Sequence, residues 1–227
     1  KISVSEELAC RFPNTLKLAF FATTIAVSIG IPVGIVSAMR QYTIIDSTTL
    51  FTALILTSIP AFWLGLMLIL LFSLKLNLLP AIGFDTWKHL IMPSVTLSAT
   101  TMATIIRMTR STMLEVIRQD YIRTAKAKGA GEKRVVLKHA LRNALLPIVT
   151  VIGLNFGIQM GGAMIVETVF VIPGLGSLMI DSVRTKDVPM VMGAVLLVAV
   201  AVGLINLGID IIYTFIDPRI KSQYVKR

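Results

Sequence analysis

Five long apolar segments alternate with shorter polar stretches along the chain. A membrane-spanning helix needs about 20 apolar residues, because each residue advances about 1.5 Å. Backbone groups in lipid must pair within their own segment, which makes each of these spans a helix. The pattern predicts an all-α polytopic membrane bundle, a single transmembrane domain over residues 1–227. The five predicted spans are 16–36, 50–74, 91–108, 144–171 and 188–216.

Five prolines lie within or near the starts of the predicted spans. Pro93, Pro147 and Pro189 lie near the starts of three spans, where the first turn of a helix tolerates a residue without an N–H. Pro32 and Pro60 lie deeper within their spans. At these two positions we predict a kink.

The span 144–171 is predicted to have two different faces. Gly153, Gly157 and Gly161 recur every four residues, so they share a face on which another helix can approach closely. Asn155 and Gln159 lie around the helix from them. Polar groups in a span either line a wet pathway or hydrogen-bond to neighbouring helices, and both alternatives are open here.

Two carboxylates also fall within spans. Glu167 lies near one end of its span and Asp210 near the opposite end of the last span, four residues after Asn206. They are therefore not a pair placed for proton relay at mid-membrane. The candidate pathway residues are Asn155, Gln159, Glu167 and Asn206.

The chain is strongly basic, and the spans explain why. It has 227 residues, 15% charged and 55% hydrophobic, with net charge +10 and mean hydropathy +0.82. The loops 37–49, 107–143 and 217–227 carry one, ten and four of the 22 Lys and Arg residues. Because basic loops stay inside, the C-terminus is predicted to be cytoplasmic. Tyr121 is the only aromatic residue in 107–143, which argues against nucleic-acid binding.

The same orientation places the start of the chain outside the membrane. Residues 1–13 carry no signal-peptide pattern that would account for this. We therefore expect at least one further transmembrane helix upstream in the native protein.

Catalytic and metal-binding motifs are missing from the sequence. Cys10 is the only cysteine, and His89 and His139 are predicted to lie on opposite sides of the membrane. No phosphate loop, nucleophile elbow or HExxH motif is present. A membrane enzyme would need a catalytic constellation, and a stand-alone secondary carrier would need an inverted repeat with midplane charges. We expect no cofactor and a conduit that takes its energy from elsewhere.

Residues 107–147, here called the basic loop, join the third and fourth spans. Apolar spacing predicts that the third span continues as a helix bearing Leu114, Ile117, Tyr121 and Ala125 on one side. Gly129 is a natural helix stop. A second helix is predicted from near Glu132, with the apolar stripe Val136, Leu137, Ala140, Leu141, Ala144 and Leu145. Two short helices with small side chains around a glycine elbow favour insertion into a groove on a partner protein over a membrane surface.

Several motifs occur in a recognisable order. They are RMTRSTMLEVIRQDYIRTAKAKG at 107–129, followed by HALRNALLP; SIPAFWLGLMLILLFSLKLNLLP at 58–80; ETVFVIPGLG at 167–176; and DPRI at 217–220. From Pro13 onward the chain resembles the permeases of binding-protein-dependent ABC importers, in the branch that transports dipeptides, oligopeptides or nickel. The resemblance implies the type I ABC importer permease fold, with a first transmembrane helix upstream of this chain.

The resemblance also assigns a role to the basic loop. It corresponds to the "EAA" element, a coupling helix that docks on an ATP-binding subunit, with Arg123, Thr124 and Ala125 where the general pattern has Glu-Ala-Ala. His139 to Arg142 and the later Pro147 depart from that general pattern. The implied coupling residues are Asp120, Tyr121, Arg123, Thr124, Ala125, Lys126, Ala127, Lys128, Gly129 and Ala130.

The implied assembly is a bacterial or archaeal inner-membrane importer. This chain would form half of a peptide pathway beside a second, related permease, two ATP-binding subunits and an extracytoplasmic binding protein. ATP hydrolysis would occur in the separate subunits, so this chain would not itself be an enzyme. Nickel and glutathione remain alternative substrates. The outer segment Pro173, Gly174, Leu175 and Gly176 is a candidate gate or binding-protein contact, and a plain connecting turn is an equal alternative.

Overall fold

A computed structural model describes residues 3–216, and every regular element in that range is helical. The DPRI motif at 217–220, the predicted loop 217–227 and the side chain of Asp210 lie outside the described residues. The helices are α1 (Val4–Met39), α2 (Ile44–Ser58), α3 (Ala61–Leu68), α4 (Trp87–Ile117), α5 (Asp120–Ala127), α6 (Glu132–Arg134), α7 (Leu141–Phe170), α8 (Leu175–Arg184) and α9 (Val188–Ile216). Two π-helical stretches, Ile69–Lys75 and Val135–Ala140, extend α3 and join α6 to α7.

Four of the five predicted spans coincide with uninterrupted helices. Among the described residues, the helices long and apolar enough to cross a bilayer are Val4–Met39, Trp87–Ile117, Glu132–Gly161 and Val188–Ile209. Each extends beyond or overlaps one predicted span. α1 begins well before the apolar run because Ser3 and Glu6 form a capping box at its start.

The second predicted span, 50–74, is not a single helix. It consists of Ile44–Ser58 and Ala61–Lys75, which meet at 99°. Ile59 and Pro60 between them have extended backbones, because the residue before a proline is disfavoured in the helical region. The kink predicted at Pro60 is therefore confirmed, whereas the uninterrupted span is wrong.

The predictions for the other prolines are confirmed in part. Pro189 is the second residue of α9, as predicted. The prediction of a first-turn position is wrong for Pro93 and Pro147, which lie inside α4 and α7. The first turn of α4 lies at Trp87 instead, because Thr86 and His89 cap the helix there. Pro32 lies within α1, which continues past it to Met39.

Close helix contacts involve glycines on two helix pairs. A side-chain carbon at Gly34 on α1 would come within 2.6 Å of Thr109 on α4, so the two helices can meet there only without one. The predicted glycine face of α7 is confirmed in part: Gly153 lies against Ile209 and Gly157 against Val202, both on α9. Gly161 has no such neighbour within 4 Å.

Buried apolar side chains cluster at both ends of the bundle. The end that carries the basic loop is here called the loop end, and the opposite one the far end. The loop-end core contains Ala38, Met113, Ile122, Val135, Val136, Ala140, Ala144 and Ile148. The far-end core contains Leu18, Ala22, Met92, Leu97, Ala163, Val166, Phe170 and Ile172.

Candidate functional site

The basic loop folds as two helices that pack on the loop-end core. α4 continues to Ile117, and α5 then starts afresh at Asp120 after the extended Gln119. The predicted continuous stripe through Tyr121 is therefore wrong, since this break changes the direction in which side chains point. Tyr121 is 45% exposed, whereas its neighbour Ile122 is 1% exposed and belongs to the loop-end core.

Ile122 was missed by the sequence reasoning, although it anchors the whole of α5. It is the only buried residue of that helix. Because α5 packs on the bundle through this one buried side chain, the rest of its surface is accessible to another molecule. Of the implied coupling residues, Ala125 and Ala130 are half-buried, and the exposed ones are Asp120, Tyr121, Arg123, Thr124, Lys126, Ala127, Lys128 and Gly129.

The predicted helix stop at Gly129 is confirmed. Its φ is +81°, in the left-handed region that glycine enters without steric cost. The Ala130 N–H donates to the Ala125 carbonyl at 3.2 Å, and the Gly129 N–H donates to the Lys126 carbonyl at 2.9 Å. Carbonyls at the end of α5 are thus satisfied by the chain that follows, which fixes the elbow in place.

The second helix of the basic loop starts at Glu132, as predicted, but its apolar stripe is displaced. Val135 is 2% exposed and Leu137 is 49% exposed, so the assignment of Leu137 to the stripe is wrong. The cause is the π-helical stretch Val135–Ala140, whose wider turns rotate the side chains relative to an α-helix. Val136, Ala140 and Ala144 are buried as predicted.

The surface of the basic loop carries cations that have no acidic partner. Within residues 3–216, the only ion pair in the loop's two helices joins Arg123 to Asp120 at 3.8 Å, and both side chains are largely exposed. Such a pair contributes little stability. Between residues 120 and 147, the exposed cations without an ion pair are Lys126, Lys128, Lys133, Arg134, Lys138 and Arg142. This surface is complementary to an acidic partner.

Tyr121 adds a neutral polar group to this surface. Partial burial raises the pKa of its hydroxyl, while a hydrogen bond with Asn143 opposes the shift. The hydroxyl therefore stays protonated at physiological pH and can donate as well as accept a hydrogen bond.

At the far end, Glu167 holds the start of α8. Its side chain is 0% exposed. It accepts the Thr15 hydroxyl at 2.5 Å and the Ser177 N–H at 3.0 Å, together with the Gly176 N–H. The Leu175 N–H donates to the Thr15 hydroxyl at 2.8 Å. The first three N–H groups of α8 are thus satisfied by side chains of α1 and α7.

The chain around Glu167 must approach very closely. A side-chain carbon at Gly174 would overlap the Glu167 carboxylate, and one at Gly176 would overlap the backbone of Met164. Asn14 also donates to the Pro173 carbonyl at 2.8 Å. The structure therefore brings Glu167 together with all four residues of the candidate gate.

The remaining pathway candidates lie elsewhere on α7 and α9. Gln159 is 4% exposed; its carbonyl oxygen accepts the Thr23 hydroxyl at 3.2 Å, and its amide donates to the Thr101 hydroxyl at 2.8 Å. It therefore ties α7 to α1 and α4. Asn155 donates to the Val151 carbonyl of its own helix at 2.8 Å. Asn206 on α9 is half-buried.

Metal binding has no visible basis in the part of the chain that is described. No three side chains of His, Cys, Asp or Glu in residues 3–216 come together as a metal site. His89 instead accepts the Thr86 N–H at the start of α4.

The chain is similar in sequence to known membrane transport proteins. The family described as "Binding-protein-dependent transport system inner membrane component" matches residues 30–222. The dipeptide transport system permease DppB of Escherichia coli K12 is 42% identical, and the alignment covers 98% of this chain and 75% of that protein. The oligopeptide permease AppB of Bacillus subtilis is 46% identical, with 96% and 72% covered. The glutathione permease GsiC of E. coli K12 is 44% identical, with 97% and 72% covered.

Solved structures show the same fold. A chain from inward-facing conformations of the MetNI methionine ABC transporter superposes with a TM-score of 0.77 at 22% identity, covering 93% of this chain and 96% of that one. A chain of an amino acid ABC transporter superposes with a TM-score of 0.63 at 16% identity, covering 95% and 94%. The fold predicted from the resemblance, that of type I ABC importer permeases, is confirmed.

Proposed function

The chain belongs to the family of binding-protein-dependent transport system inner membrane components, and from this we propose that it is the permease subunit of an ATP-driven importer of di- and oligopeptides. It forms half of the translocation pathway as one transmembrane domain. Relatives named as dipeptide and oligopeptide permeases, at 42% and 46% identity, support peptide as the cargo. The glutathione permease at 44% identity keeps that tripeptide as the second candidate, ahead of nickel.

The observation that carries this proposal is the way in which α5 is held. Ile122 buries one side of the helix in the loop-end core, and the small-sided surface around Ala125 remains available. We assign the residues from Asp120 to Ala130 to contact with an ATP-binding subunit. The unpaired cations around this surface support a partner with an acidic rim.

The proposed partners follow from this assignment. A second, related permease completes the pathway, two ATP-binding subunits perform the hydrolysis, and an extracytoplasmic binding protein delivers the peptide. The loop end faces the cytoplasm, and the first residues of the chain lie outside. Pro173, Gly174, Leu175 and Gly176 then lie on the outer side, as a gate or as the contact for the binding protein.

The proposed mechanism is a rigid-body alternation. ATP binding closes the two ATP-binding subunits and displaces the basic loop. α4 and α7 flank the loop and pack together in the loop-end core, so they follow the displacement. The pathway, with Asn155 and Asn206 as candidate wall residues, then changes its accessible side, while Gln159 keeps α7 tied to α1 and α4. ATP drives this change only because it binds one of the two states more tightly.

Co-purification with the ATP-binding subunits tests the docking surface. Ala125→Glu introduces a bulky charge on the half-buried face of α5 and should abolish capture of the ATPase. Thr48→Glu, which adds the same charge at an exposed position of α2, should leave capture unchanged. Equal capture by both variants would exclude α5 as the docking helix, and failure of the wild type to capture any ATPase would exclude the importer.

Uptake into proteoliposomes tests the cargo. The complete complex with its binding protein is offered labelled dialanine, trialanine, glutathione and nickel ion in separate assays. We expect ATP-dependent uptake of at least one of the two alanine peptides. Uptake of glutathione or of nickel alone would replace peptide as the substrate class while leaving the permease function intact.

A further inference from the structure

A buried ion pair lies at the loop end, outside the basic loop's docking surface. Asp46 in the first turn of α2 is 3% exposed. Arg110 of α4 donates to both of its carboxylate oxygens, from Nε to Oδ1 at 2.6 Å and from Nη2 to Oδ2 at 2.8 Å. The planar guanidinium fixes the mutual orientation of α2 and α4 in a way that a single contact cannot.

The carboxylate of Asp46 also ties in α1. The Ser37 hydroxyl donates to its Oδ1 at 2.6 Å, and the Tyr42 N–H donates to its Oδ2 at 3.0 Å. Tyr42 has a φ of +63°, so the turn between α1 and α2 adopts an uncommon backbone to make this contact. Three segments thus converge on one carboxylate.

The pair adjoins the core that supports the basic loop. Ala38 follows Ser37 directly, and Met113 lies one turn beyond Arg110 on α4. Both side chains belong to the loop-end core, in which Ile122 of α5 is also buried. A displacement of α5 therefore reaches the partners of Asp46 through packed side chains.

α2 itself has little other attachment at this end. Only two of its residues are buried, Asp46 and Ala53. Ala53 packs further along the helix against Ala103 and Ile106, and no residue of α2 belongs to the loop-end core. Asp46 is thus the buried anchor of α2 at the loop end.

The other end of α2 leads directly to the far-end core. After the 99° break, α3 packs on that core through Ala61 and Leu68. A side-chain carbon at Gly65 would come within 3.1 Å of the Phe170 ring, so α3 and α7 are in close contact there. α2 therefore connects the ion pair to the far end by a single helix of about 22 Å.

We propose that Asp46 and Arg110 are a positioning pair that makes α2 follow the basic loop, so that α2 carries the displacement to α3 at the far end. This inference rests on the proposed function. The pair acts through the geometry that it fixes, since desolvation offsets much of the attraction within a buried ion pair. Loss of the pair uncouples ATP hydrolysis from movement at the far end.

Two variants and a matched control test the pair in the complete, reconstituted importer. Asp46→Asn keeps the shape and removes the charge, and Arg110→Lys keeps the charge and removes the two-pronged contact. Asp85→Asn removes an exposed carboxylate that makes no ion pair among the described residues. Labelled trialanine transported per ATP should fall about threefold or more in Asp46→Asn, less in Arg110→Lys, and remain unchanged in the control.

A distance measurement covers the case in which a variant transports nothing. In a Cys10→Ser background, spin labels at Ile44→Cys on α2 and Leu137→Cys on the basic loop report whether the two segments move together. Both positions are exposed, at 83% and 49%. We expect one narrow distance distribution with and without ATP when the pair is intact, and a broadened distribution in Asp46→Asn.

The outcomes separate the two proposals. Unchanged transport per ATP and an unchanged distance distribution in Asp46→Asn would overturn the positioning role alone. A large ATP-dependent change of the distance between residues 44 and 137 with the pair intact would also overturn the positioning role alone. Absence of ATP-driven uptake of every offered substrate by the wild-type complex would overturn the proposed function and the positioning role together.

Discussion

Thr15 and Glu167 are 152 residues apart in the sequence and share a buried hydrogen bond of 2.5 Å between Oγ1 and Oε1. Between them they also accept the first three N–H groups of α8. The start of α8 is therefore oriented by side chains of α1 and α7. A change in the spacing of α1 and α7 would alter the start of α8.

A double-mutant cycle should reveal this coupling. Thr15→Val and Glu167→Gln each leave a buried N–H or hydroxyl without its partner, at a cost of about 1–3 kcal/mol in unfolding free energy. Because the two residues hydrogen-bond to each other and cap the same helix start, we expect the double variant to lose less than the sum, by about 0.5–3 kcal/mol. Unfolding in detergent measures all four proteins, and simple additivity would contradict the shared role.

Gly174→Ala should destabilise the far end. The added methyl group would overlap the buried Glu167 carboxylate, which could move only by breaking its hydrogen bonds to Thr15 and Ser177. We expect a loss of about 1–3 kcal/mol. Gly161→Ala is the matched control, because nothing lies within 4 Å of that position and alanine is favoured inside a helix. An equal fall in the thermal midpoint for both variants would show that the close contact does not decide the effect.

Gly129→Ala should impair coupling, whereas Gly131→Ala should not. Neither site is crowded, since no atom lies within 4 Å of an added side-chain carbon. The difference is backbone conformation: Gly129 has a φ of +81°, and Gly131 has a φ of −62°. The strain of about 1–2 kcal/mol at Gly129 would move the elbow between the two short helices. Peptide transported per ATP is the measurement, and a larger loss at Gly131 would contradict the prediction.

Ile122→Ala should release α5 from the bundle. The truncated side chain leaves a cavity in the loop-end core, with a local cost of about 2–5 kcal/mol. Tyr121→Ala, at the half-exposed neighbour, should affect ATPase capture more than the stability of α5. Tryptic cleavage after Arg123 and Lys126 reports the release: it should accelerate strongly in Ile122→Ala and only slightly in Tyr121→Ala.

Much of the fold was predictable because the bilayer imposes strong rules. Apolar length placed four uninterrupted spans, and glycine at 129 placed the elbow of the basic loop. Backbone irregularities were not predictable from periodicity. The extended residue Gln119 and the π-helical stretch Val135–Ala140 shift the helical phase, which is why Ile122 and Val135 were missed.

The polar contacts were the hardest to predict. Arg110 and Asp46 are 64 residues apart, and nothing in their own neighbourhoods indicates that they pair. The sequence indicates only that each residue needs a partner. Each is ionisable and lies at the edge of an apolar helix, where an unpaired charge would be costly. Gln159 was recognised as a polar residue within a span, but its partners Thr23 and Thr101 come from helices whose packing the sequence does not specify.

The right-angle break between α2 and α3 limits what can surround this protein. α3 starts after Pro60 without a side-chain cap, and the N–H groups of Ala61, Phe62 and Trp63 have no hydrogen-bond partner within residues 3–216. Hydrocarbon tails offer no acceptors, and each bare amide there would cost several kcal/mol. The corner is therefore expected where water, lipid headgroups or another polypeptide can accept hydrogen bonds from the backbone.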